Sequence, residues 1–347
     1  MIKKSDKLIV YAEGLFASDS AKTALGVIRY GEAEVVCVVD SVNAGKVVSD
    51  IYPSLPSIPI FSSIDEAKNN IPLANILLIG IAPAGGIFPP EWFKDIKKAI
   101  SLKLNIVNGL HDFLLSVPEL RNLAVENDVY IWDVRNWNKQ NLVAKAKLLN
   151  YPNNIVLTVG TDASIGKMTT SLELLKSARK KKLSSDFFAT GQTGMMISGN
   201  GIPVDALIID FAQGEVEQGI INLIQDDQSK IVFVEGQGAI FHPAWSSVTL
   251  SLLHGALPQK MILCHNPLRK SYKGMDHHIE SVQENIYAYE SISHPLRKSK
   301  VVGVSLNTFG MDNVRAQNEI QKLEDALNLP VEDPVRSGAD KLLEFCL

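Results

Sequence analysis

The chain predicts an α/β protein of two domains, each a parallel sheet covered by helices on both faces. Three observations carry this. Short, continuously apolar runs alternate with stretches of helical periodicity, the pattern of strands buried on both faces. One run, Ile155–Val159, opens into a loop bounded by Gly160 and Gly166-Lys167 and continues as a helix with Met168, Leu172, Leu175 and Ala178 on one face. A polar stretch, Asn136–Asn141, and then Tyr151-Pro152-Asn153-Asn154 separate the two series and put the boundary near residue 150. With 347 residues, 46% of them hydrophobic and 21% charged, the chain has core enough for both domains.

In the first half, Lys7–Ala12 reads as a strand, Ser20–Tyr30 as a helix and Glu34–Val39 as a second strand ending at Asp40. An acid at that place meets a ribose in many nucleotide-binding sheets, but no G-x-G-x-x-G precedes it, so Asp40 also reads as an ordinary strand-end residue. Ile76–Ile81 is a third strand, running into Ala82-Pro83-Ala84-Gly85-Gly86, with a helix near Pro90–Leu102 after it. Asn105–Val107 and Val129–Trp132 follow as short strands. Loops at the carboxyl ends of parallel strands are where ligands sit, which makes Gly85-Gly86 and Asn108–His111 site candidates beside their reading as plain turns.

The second half opens on Ile155–Val159 and its loop. The basic run Arg179–Lys182 reads either as a solvated helix end that complements the helix dipole or as a landing site for a second phosphate. Phe187–Thr190, Ala206–Asp210, Ile231–Val234, Met261–Cys264 and Val301–Leu306 are the remaining expected strands. Asp210 and Glu235, each following one of them, are expected on the same sheet edge as Lys167. His277-His278 sits in a helix-like stretch, where adjacent side chains diverge, which argues against their sharing a metal. No metal site is expected.

A net charge of −4 gives no general attraction to nucleic acid or anionic membrane, and no aromatics alternate with basic residues as in a nucleic-acid groove. Cys37, Cys264 and Cys346 lack metal spacing and read as free thiols of a reducing cytoplasm. The apolar run after Met1-Ile-Lys-Lys is soon broken by Glu13, and Ala74–Phe88 is too short to span a bilayer, so a cytoplasmic protein without a membrane partner is expected. A homo-oligomer is expected.

The loop from Gly160 through Thr161, Asp162, Ala163, Ser164, Ile165, Gly166 and Lys167 to Met168 and Thr169 has the parts of a phosphate cradle: main-chain amides, a helix N-terminus and a lysine. It departs from the Walker A pattern G-x-x-x-x-G-K-[ST] twice. The loop is one residue longer, and Met168 replaces the hydroxyl that would ligate Mg²⁺, which a thioether cannot do for a hard cation. GTDASIGK resembles the longer loop of dethiobiotin synthetase and its relatives. The Val234-Glu235-Gly236-Gln237-Gly238 segment and the loop Gly191–Gly194 are similar to their loops as well.

The stretches GTDASIGKMTT, FFATGQTGMMISGNGIPVDALIIDFAQGEVE, FVEGQGAIFHPAWS and VEDPVRSGADKL together resemble a bacterial family described as a domain of unknown function, some of whose members are D-glutamate N-acetyltransferases. The resemblance covers essentially the whole chain. It implies a Rossmann-like domain over residues 1–150 and a P-loop NTPase-type domain over 151–347. It further implies transfer of an acetyl group from acetyl-CoA to the amino group of a D-amino acid similar to D-glutamate, a small-molecule substrate. Acetyl-CoA phosphates are not cleaved, so Mg²⁺ would not be needed. A base would then be sought among Glu235, Asp210 and His242, oxyanion donors among the amides of Gly191–Gly194 or Gly236–Gly238, and substrate contacts from Gln192, Thr193, Arg269 and Arg336. The alternative is an ATP/Mg-dependent ligase or kinase-like enzyme of the dethiobiotin synthetase class, with Thr169 or Thr170 replacing the lost hydroxyl. A nucleotide-binding sensor is the non-enzymatic reading.

Overall fold

A computed structural model describes residues 2–81 and 86–347. The chain forms two compact units, Met1–Trp137 with Gln192–Pro203, and Asn138–Gly191 with Val204–Leu347. Ala82-Pro83-Ala84-Gly85, part of one expected site loop, lies outside the described residues.

In the first unit the order is β1 (Lys7–Tyr11), α1 (Lys22–Tyr30), β2 (Glu34–Val39), α2 (Val48–Ile51), β3 (Ile60–Phe61), α3 (Ile64–Asn70), β4 (Ile76–Ile79), α4 (Phe93–Ser101), β5 (Asn105–Asn108), α5 (Pro118–Glu126) and β6 (Ile131–Asp133). The strands lie in the order β3-β2-β1-β4-β5-β6, all parallel, which is the doubly wound arrangement. Its apolar runs are buried as their composition requires: Ile9, Val10, Ile76, Leu77 and Leu78 have no accessible surface. Ser63 caps α3 by accepting from the Glu66 N–H, and Pro118 opens α5 where its missing N–H costs nothing.

The second unit contains β7 (Ile155–Gly160), α6 (Lys167–Lys180) and β8 (Ser185–Phe188). Next along the chain comes α7 (Gln192–Ser198), which packs with the first unit. The second unit resumes with α8 (Ile209–Ile224), β9 (Ile231–Val234), α9 (Ser246–Ala256), β10 (Lys260–His265), α10 (Val282–Ser293), β11 (Lys300–Leu306), α11 (Asn313–Leu327), β12 (Val331–Glu332), α12 (Pro334–Ser337) and α13 (Asp340–Cys346). This sheet runs β12-β11-β10-β7-β9-β8, again all parallel. Strand β7 is central, so the loops leaving β9 and β10 flank the loop that leaves β7.

Two expectations are corrected. Ala206–Asp210 is not a strand. Val204–Ala206 is a tight turn and Asp210 sits in the first turn of α8, exposed. The apolar pair that suggested a buried strand, Ile208 and Ile209, is 47% and 50% exposed, while Ala212, Val216, Ile220 and Ile224 repeat at helical spacing and are buried. His277-His278 is not helical either. His278 bridges to Ser271, and His277 accepts from the Tyr272 N–H and stacks on its ring.

The segment entering the second unit is held along α8 by two buried carboxylates. Glu215 accepts from the Gln140 N–H at 2.7 Å, and Glu217 accepts from the Lys145 N–H at 2.9 Å and from the Lys147 N–H. Gly214 makes room for it: a Cβ there would stand 2.0 Å from the Leu142 carbonyl oxygen.

Candidate functional site

The loop between β7 and α6 is built as an anion cradle. Gly166 ends it in the left-handed region, at φ +114°, and α6 begins with no side-chain cap. Its first-turn amides have no preceding turn to donate to, and they carry the positive end of a 14-residue helix. Lys167 folds back over the loop, its Nζ donating to the Asp162 carbonyl at 2.8 Å. Burial pushes the Lys167 ammonium down to about 8, against the pull of neighbouring groups that include Asp162 and Glu235.

Glu235 emerges from β9 beside this lysine. It is buried and accepts from the N–H groups of Thr190 at 2.9 Å and Gly191 at 3.2 Å. Burial raises its carboxyl to about 7, with Asp205 adding to the rise, while the two amides and Lys167 oppose it. Close approach of the β9 loop to β7 requires glycine at 236, where a Cβ would fall 1.6 Å from the Thr158 carbonyl oxygen. The Gly236 N–H donates to Thr158 Oγ1 at 3.0 Å. Two of the amides expected to stabilise an oxyanion, those of Gly191 and Gly236, are therefore already bonded.

Asp162 has no accessible surface. Its carboxylate accepts from Arg269 Nη1 at 2.8 Å and from the Lys273 N–H at 3.0 Å, which seats the loop after β10 on the cradle. His242 completes this cluster, with Nε2 3.8 Å from Asp162 Oδ1. Its Nδ1 accepts from the Ala244 N–H at 3.2 Å, so Nε2 carries the proton and donates to the Lys273 carbonyl at 3.1 Å. The ring stacks on Trp245, and both nitrogens are occupied. His242 thus braces the loop and does not fit the role of a base reaching substrate.

The hydroxyls next to the lysine divide. Thr170 turns inward, donating to the Gly166 carbonyl at 3.1 Å and sharing a 2.8 Å hydrogen bond with Ser305. Met168 and Thr169 are half-buried. Thr161 pairs with His265 Nδ1 at 2.9 Å, and burial together with Lys270 holds that imidazole down at about 4.

Asp210 is exposed on α8. Gln192 and Thr193 belong to the first unit, where Gln192 accepts from Arg135 and Thr193 pairs with Thr23 at 2.8 Å. Asp40 is committed to its own loops, accepting from the Gly14 and Val42 N–H groups and from Asn43. The basic run that ends α6 forms surface pairs with Asp186, Asp340 and Glu344, away from the cradle. Arg336 donates from Nη2 to the carbonyls of Thr308 and Met311, from Nε to Thr308 Oγ1 and from Nη1 to Asn313. It is a brace for the loop after β11. Arg336→Ala should lower unfolding stability by about 2 kcal/mol, the scale of losing several charged hydrogen bonds. Urea titration checks this, and the Michaelis constants should stay within about twofold.

The model of the DUF1611 P-loop domain, a domain of unknown function, matches residues 142–343, and that of the DUF1611 Rossmann-like domain matches 41–137. The chain is 36% identical over 276 residues to a D-glutamate N-acetyltransferase from a Pseudoalteromonas species, covering 78% of this chain and 80% of that one. It is 35% identical over 289 residues to one from Tritonibacter scottomollicae, with coverage of 81% and 83%. The crystal structure of a DUF1611 family protein from Anabaena variabilis superposes with a TM-score of 0.92 at 36% identity over 99% of both chains. Among the described residues no helix is long and apolar enough to cross a membrane. Matched in both halves and in the same order, the chain belongs to the DUF1611 family, a Rossmann-like domain followed by a P-loop domain.

Proposed function

We propose that this chain is an N-acetyltransferase that moves an acetyl group from acetyl-CoA to the amino group of D-glutamate or a closely similar D-amino acid. Its relatives at 35–36% identity carry the name D-glutamate N-acetyltransferase, which supports the reaction class. The buried Glu235 carboxyl beside a phosphate cradle that carries Lys167 supports the reading at the level of chemistry.

Acetyl-CoA fits the donor set. The loop amides beyond Thr161, up to Met168, and the Lys167 ammonium would hold its pyrophosphate, an anion that this reaction leaves intact. Met168 and the inward-turned Thr170 suit a cradle that grips phosphate without a metal-binding hydroxyl. When bound, acetyl-CoA supplies a thioester whose carbonyl accepts the amine and whose thiolate leaves. Glu235, with its carboxyl near 7, takes the proton from the substrate ammonium. Of the two arginines named from sequence, Arg336 is taken up by the loop after β11 and Arg269 by buried Asp162, so the carboxylate clamp of this reaction is not assigned to either.

The test is release of the coenzyme A thiol in the presence of D-glutamate, L-glutamate and other amino acids. Release that depends on the D-amino acid and continues with chelator and without ATP is expected. No release with any amino acid, alongside ATP hydrolysis with Mg²⁺, would overturn the reading.

A further inference from the structure

The carboxylate oxygens of Glu235 are placed differently. Oε2 accepts from the Thr190 and Gly191 N–H groups, whereas Oε1 has no hydrogen-bond partner among the described residues. The missing side chain of Gly191 leaves room between that oxygen and the Gln237 amide. Gly191 is outside the left-handed region, so its conformation alone would admit a side chain. A Cβ there would stand 2.7 Å from Gln237 Nε2 and 3.8 Å from Glu235 Oε1.

Gln237 is half-buried and held at both ends. Its main-chain carbonyl accepts from Thr249 Oγ1 at 2.8 Å, and its Nε2 donates to Thr190 Oγ1 at 3.1 Å. The Thr190 hydroxyl commits its own hydrogen to the main-chain carbonyl of Glu235 at 2.8 Å, so toward Gln237 it can only accept. The nitrogen end of the amide must therefore face Thr190. An amide nitrogen carries a second hydrogen, and in Gln237 that one has no acceptor among the described residues.

We propose that the Gln237 side-chain amide is a catalytic donor, its remaining N–H holding the acetyl carbonyl oxygen while Glu235 Oε1 takes a proton from the substrate ammonium. This rests on the acetyl-CoA reading above. It supplies the contact that the Gly191 and Gly236 amides, already bonded, do not. Glu235 Oε1 removes one ammonium proton and frees the nitrogen lone pair. As that pair forms the new C–N bond, the carbonyl π pair moves onto oxygen and meets the Nε2 hydrogen. Return of the pair breaks the C–S bond, whose electrons leave on sulfur, and a second proton passes from nitrogen to the departing thiolate. A donor fixed in advance by Thr190 needs no reorganisation as the charge grows.

Isotope-edited infrared spectra of the acetyl carbonyl of acetyl-CoA, bound to the wild type and to Gln237→Met, test the proposal. Methionine keeps the length of the side chain and every main-chain donor of the loop, and removes the amide. On the wild type the carbonyl should absorb at lower frequency than in solution, and the variant should lose that shift. Its kcat should fall about a hundredfold, the scale of one oxyanion donor, with KM for acetyl-CoA within about twofold. A Gln237 that only props Thr190 would leave the carbonyl frequency unmoved. Gly191→Ala, whose Cβ must push Nε2 aside, should lose the shift as well, and it decides the matter if Gln237→Met does not fold. A wild-type carbonyl at the solution frequency, or a folded variant that keeps either the shift or the rate, would overturn the donor and leave the acetyltransferase reading standing. Failure of acetyl-CoA to bind the wild type would overturn the two together.

Discussion

Lys167→Ala should weaken the binding of both coenzyme A and acetyl-CoA by about a hundredfold. A charge-assisted hydrogen bond contributes about 1.5–3 kcal/mol, and each 1.4 kcal/mol is a factor of ten in affinity. Few side chains near the cradle can substitute, because Arg269 is already paired with Asp162. The same change should move the pH profile. Lys167 holds the Glu235 carboxyl down from where burial alone would put it. Without that ammonium the carboxyl titrates higher, so residual activity needs a more alkaline solution. Titration calorimetry and a pH series measure the two effects. Unchanged affinity for both ligands would remove the cradle from the mechanism.

Glu235→Gln should lower kcat by about a hundredfold to ten-thousandfold, the usual range for losing a general base, with little change in affinity for acetyl-CoA. Glutamine keeps the shape and one carbonyl oxygen for the Thr190 and Gly191 amides, so the loops stay in place. The pH dependence follows from the direction of the shift. A base must be deprotonated to act, and this carboxyl titrates at about 7. Wild-type activity should therefore fall as pH drops through 7, tenfold for each further unit, and the variant should lose that limb. A variant with an unaltered acidic limb would assign the proton transfer to another group.

Much of this site was legible in the sequence, and the reason is local. Strand, loop, lysine and helix are contiguous between Ile155 and Lys180, and backbone geometry follows from glycine positions and apolar runs. Glu235 was legible for the same reason, as the residue ending a short buried strand. Contacts between distant residues were not. Nothing about Asp162 announces that Arg269, 107 positions later, will neutralise it, and His242 reads as a catalytic base until both nitrogens are seen to be occupied. Arg336 likewise reads as a substrate clamp, because its partners are main-chain carbonyls that any sequence supplies. Asp210 misled through the apolar pair before it, which is the solvent-exposed start of a helix. The edge strands β3 and β12 are two residues each, too short for any periodicity to register.

The chain passes between its two compact units at Trp137, at Gly191 and again at Pro203. A gene cut near codon 150 would therefore yield no self-sufficient product on either side. The upstream piece would lack a helix that completes it, and the downstream piece would carry that helix with its natural partners gone.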